Sequence, residues 1–158
     1  MLQSGNQSLL RRAAVIIVAA LLTAGSAAYG NESRLQDNRA RWEAANIEDY
    51  SYGYNKYCEC HRETPPETVV TILAGQIVRV HHLHPDSDRE VPADPEDYQY
   101  YWTIEGLFEL IGAALNREVD VRADYDEALG FPTRIFIDYD ADQIGEELDL
   151  RITRLIAR

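Results

Sequence analysis

Cysteine is nearly absent from this chain. The 158 residues hold two, Cys58 and Cys60, with one residue between them. A bridge across so short a span forces strained geometry and closes too small a ring to restrain the unfolded state, so the pair is a poor staple. Serine is also scarce beyond residue 30, where only Ser33, Ser51 and Ser87 remain. None sits in the strand–turn–helix elbow that exposes a nucleophile. There is no glycine-rich phosphate loop. Positive charge is in short supply too: 15 Lys and Arg stand against 27 Asp and Glu, a net charge of −12. Such a surface is repelled by phosphate backbones and anionic bilayers, which argues against nucleic-acid and peripheral lipid partners. These absences lean away from an enzyme.

What is present begins with a leader. A mostly polar stretch ends in Arg11-Arg12, followed by an apolar run from Ala13 to Leu22 and the small residues Thr23 to Ala28. That sequence of regions reads as a secretory signal over residues 1–30. Its apolar run is shorter than the ~20 residues that cross a bilayer, so an uncleaved anchor would have to recruit Thr23 to Gly30. The first cysteine lies far beyond the cleavage zone, which excludes a lipid-anchored terminus. The expected location is periplasmic or extracellular, with membrane anchoring by an uncleaved signal as the alternative. Both leader arginines and no acidic residue would leave on cleavage, so the mature chain is more acidic still. The whole chain's apolar fraction of 46% argues against a wholly disordered exported protein, and residues 31–158 read as one domain.

Within that domain the hydrophobic period changes twice. Glu32 to Ile47 has Leu35, Trp42 and Ala45 on one narrow stripe and reads as a short helix. Tyr50, Tyr52 and Tyr54 alternate with small or polar residues, predicting a strand with a tyrosine face. Thr68 to Leu73 and Ile77 to Leu83 form a hairpin around Ala74-Gly75-Gln76, with the loop length left open. Residues 85–98 carry Pro85, Pro92 and Pro95 among six acidic residues and read as an extended, solvated loop. After Thr103, a good N-cap, Ile104, Leu107, Phe108, Ile111 and Leu115 follow helical spacing. Strand-like runs follow at Glu118 to Tyr125, Thr133 to Tyr139 and Leu148 to Ile156. The order α-β-β-β-α-β-β-β predicts the α+β class. Its economical form is an antiparallel sheet of about six strands with both helices on one face.

Several of these residues together resemble a known family. They are Trp42, Tyr50-Ser51-Tyr52, Cys58-Glu59-Cys60, the hairpin with Gly75, Thr103 to Phe108, Tyr125-Asp126, Gly130-Phe131-Pro132 and Ile137-Asp138. Their order and spacing over about residues 40–156 resemble the DUF6174 family of exported bacterial proteins. The resemblance implies export and a compact domain, and supplies no activity or catalytic residues. The paired cysteines look like a family feature, while the histidines do not.

Three groups of residues could carry chemistry. Cys58, Cys60 and His61 lie at the end of the first strand, and His81, His82 and His84 at the end of the third. A meander brings those two ends together, and cysteine and histidine suit zinc or copper. The cysteines could equally form a local turn lock or a redox-labile bridge. On the plainer alternative His82 shares a strand face with Val78 and Val80 as a hydrogen-bonded core histidine, with His81 and His84 solvated. Asp138, Asp140 and Asp142 have the opening spacing of a calcium loop, although Gln143 stands where a sharp turn wants glycine; a solvated acidic turn is the other reading. Tyr98, Tyr100 and Tyr101 could form a recognition patch for a protein or cell-envelope partner, or pack with Trp102 at the helix start.

Overall fold

The computed structural model describes residues 30–57, 66–84, 87, 89–117, 119–143 and 145–158. Leu35–Arg158 form one compact unit; of Met1–Arg34, residues 30–34 are described and are exposed helix. Helix α1 covers residues 35–45 of the compact unit. It stops at Asn46, which adopts a left-handed φ of 48° and donates its N–H to the Glu43 carbonyl. Asparagine tolerates that conformation as a helix terminator, so the helix ends short of Ile47.

Among the described residues seven strands follow, named β1 (Tyr50–Tyr57), β2 (Thr68–Leu73), β3 (Gln76–Leu83), β4 (Glu90–Pro92), β5 (Asp120–Tyr125), β6 (Pro132–Asp138) and β7 (Leu148–Ala157). Helix α2 (Ile104–Leu115) lies between β4 and β5. The strands form a single antiparallel sheet in the order β4-β3-β2-β1-β7-β6-β5. The fold is α+β, with α1 and α2 on one face of the sheet.

The sequence explains this sidedness. Tyr50, Tyr52 and Tyr54 of β1, Val70 and Ile72 of β2, and Ile135 and Ile137 of β6 all point to one face and are buried. Against them pack Leu35 and Trp42 from α1 and Ile104, Leu107, Phe108 and Ile111 from α2. Each such side chain contributes about 1.5–3 kcal/mol when removed from water. Thr103 caps α2 as its sequence suggests, its Oγ1 accepting the Gly106 N–H at 3.1 Å.

The turn before β6 is fitted to α1. Gly130 has φ +80°, and a Cβ there would lie 2.3 Å from the Asn38 carbonyl oxygen. Only glycine satisfies both the left-handed backbone and the close approach. At the β2–β3 hairpin the loop is two residues, Ala74 and Gly75, both with positive φ. Asp49 Oδ1 accepts the Ala74 N–H at 2.7 Å, holding a conformation alanine rarely adopts.

Three details differ from the sequence reading. Residues 85–98 are not one extended loop: β4 pairs with β3, and Pro95–Tyr100 form a 3-10 helix. Pro92 is tolerated because β4 is an edge strand, and Pro95 because the start of a helix needs no N–H. Asp94 caps that helix by accepting the Glu96 N–H. Second, Val78 does not share a face with Val80. Thr71 pairs with Arg79 and Ile72 with Ile77, so Val78 is a bulged residue and is exposed. Third, His81 is buried, not solvated, at 6% exposure. Its partners in register, Val69 and Pro92, wall it in on both sides.

Candidate functional site

The histidines occupy the end of β3, beside the start of β2. Tyr54 of β1, Thr68 of β2 and His82 of β3 lie in one row, and the Leu83 N–H donates to the Glu67 carbonyl. The end of β1 and the start of β2 therefore lie at the end of the sheet at which His81, His82 and His84 stand. Cys58, Cys60 and His61 lie outside the described residues.

Adjacent residues of a strand point to opposite faces, and this separates His81 from His82. His82 faces the helix side. Its Nδ1 is 3.0 Å from Thr68 Oγ1 and its Nε2 3.4 Å from the Tyr101 hydroxyl. His82 is thus hydrogen-bonded, as the sequence allowed, but half-buried at the edge of the core. His81 faces the other side, with Nε2 3.4 Å from Glu90 Oε1. Glu90 also pairs with Arg79. The His81 Nδ1 is buried and has no hydrogen-bond partner among the described residues. Burial lowers the His81 pKa from its ordinary value, against the pull of Glu90. At His84 the backbone is tied in a turn: the Ser87 N–H donates to the His84 carbonyl, and the His84 N–H donates to the Arg89 carbonyl. Among the described residues, no three His, Cys, Asp or Glu side chains gather as a group able to hold a metal ion.

The acidic turn between β6 and β7 uses its carboxylates locally. Asp138 Oδ1 accepts the Asp140 N–H, and Asp140 Oδ1 accepts the Asp142 N–H, each at 3.1 Å. Asp140 Oδ2 also accepts from the Gln143 side chain at 2.6 Å. Those bonds, the Gln143 one foremost, hold the Asp140 carboxyl below its usual range.

The three tyrosines of the sequence reading divide. Tyr98 and Tyr101 pack partly against the core, as does Trp102. The Trp102 carbonyl accepts the Tyr52 hydroxyl at 2.7 Å, fixing the chain as it enters α2. Tyr100 is left 66% exposed at the end of the 3-10 helix. Asp94, Glu96 and Asp97 around it are exposed, and no basic residue lies in the last turn of that helix.

Two arrangements were not visible in the sequence. On the sheet face opposite the helices, Arg122 lies over the Phe136 ring at 4.3 Å and Arg151 over the Tyr57 ring at 4.4 Å. Asp149 joins Arg134 at 3.0 Å and Arg151 at 3.2 Å. On the same face Glu67 lies where a Cβ of Gly53 would be, with its Oε1 2.0 Å from that position. There it accepts from Thr153 and lies 3.5 Å from Arg154. A glycine in an aromatic strand is the only signal for this contact, and it points to a close approach without naming the visitor. No helix among the described residues is long and apolar enough to cross a membrane.

No curated protein and no solved structure matches the chain. A family model does match, over residues 34–157, which takes in both helices and all seven strands. The chain thus belongs to DUF6174, a family of unknown function.

Proposed function

We propose that this is an exported, non-catalytic domain that binds a protein partner through the turn carrying Tyr100. The leader pattern of residues 1–30 supports export to the periplasm or beyond. The observation that carries the binding reading is the division of the tyrosines. Tyr98 and Tyr101 fix the 3-10 helix to the core, so Tyr100 is presented at 66% exposure on a held support. Large aromatic side chains dominate binding energy at interfaces, and a rigid support lowers the entropy cost of using them. The exposed carboxylates of Asp94, Glu96 and Asp97 favour a basic partner surface, which the net charge of −12 would also steer inward.

The test is capture from an envelope extract of the native host by the domain and by two variants, Tyr100→Ala and Asp97→Lys. Both variants should keep the parent's melting temperature and lose the captured partner. An unchanged set of captured proteins with both variants would overturn the reading.

A second reading, an envelope metal-binding or redox protein, is favoured by the buried His81 Nδ1, which has no partner among the described residues. It stands at the end of the sheet where β1 ends and β2 begins, and Cys58, Cys60 and His61 fall between those two strands in the sequence. Unpaired buried nitrogens are uncommon and are frequently explained by an ion or water. Elemental analysis and a thiol count on protein purified from an oxidising compartment separate the outcomes. Stoichiometric zinc or copper that is lost with His81→Ala supports a metal site. Metal-free protein with two titratable thiols excludes both metal and bridge.

A further inference from the structure

No further inference is drawn: the strongest candidate, the surface patch of Arg122, Phe136, Arg151 and Tyr57 on the sheet face opposite the helices, is charge-balanced by Asp120, Asp124 and Asp149, and nothing in the structure shows what covers it.

Discussion

Trp42 and Glu105, 63 residues apart in sequence, are joined by a 2.7 Å hydrogen bond from the indole Nε1–H to Oε1. The second carboxylate oxygen accepts the Tyr50 hydroxyl at 3.0 Å, and that hydroxyl in turn accepts the Ile104 N–H at 2.8 Å. One carboxylate thereby ties α1, β1 and the start of α2. Burial, reinforced by Glu105, pushes the Tyr50 hydroxyl far above its ordinary pKa, so it remains a neutral donor.

Glu105→Ala strands the indole N–H and the Tyr50 hydroxyl together. The expected loss is about 2–3 kcal/mol in a urea unfolding experiment, from buried donors left without acceptors. Glu105→Gln keeps one acceptor oxygen and should lose roughly half as much. Equal stability of the parent and the alanine variant would show that the tie contributes nothing.

Asp149 sets an acid limit on the sheet. Burial alone would raise its carboxyl pKa, but hydrogen bonds from Arg134 and Arg151 outweigh burial and hold it below the usual range. A carboxyl depressed in the folded state adds stability above its unfolded pKa of 3.8 and loses it as pH falls through the lower folded value. The contribution is modest, about 1 kcal/mol, because both arginines are about half exposed. Asp149→Asn should melt lower than the parent at pH 7, with the two curves converging as pH falls below about 4. A constant gap in melting temperature down to pH 2 would contradict this.

Export makes its own prediction. Protein recovered from the native host should begin between Ala27 and Asn31 by N-terminal sequencing. An intact Met1 form in the membrane fraction would point to the uncleaved anchor instead.

The sequence carried much of the fold because much of it is local. Thr103 and the spacing from Ile104 to Ile111 define α2 without reference to any other element, and the structure has the helix there. Alternating tyrosines likewise reveal the buried face of β1. The rest depends on neighbours. Val78 is displaced by the offset between β2 and β3, which no pattern inside β3 announces. His81 is buried by Val69 and Pro92, residues of two other strands. β4 was hidden by Pro92 and Glu90, which suit an edge strand as well as a loop. At the candidate site the sequence marked Tyr100 with its neighbours but could not separate the anchors from the exposed ring. That distinction is made by Tyr101 reaching His82 and by the Trp102 carbonyl meeting Tyr52.

The placing of β7 between β1 and β6 also sets a timetable. Its pairing with β1 joins residues roughly a hundred positions apart, the kind of distant contact that slows folding. Until residues 148–157 are available, β1–β4 and β5–β6 are two half-sheets with no seam between them. A chain passing N-terminus first through a narrow channel would therefore present β1 to β6 before its two halves could lock. Of the seven described strands, the last to emerge is the one that closes the middle.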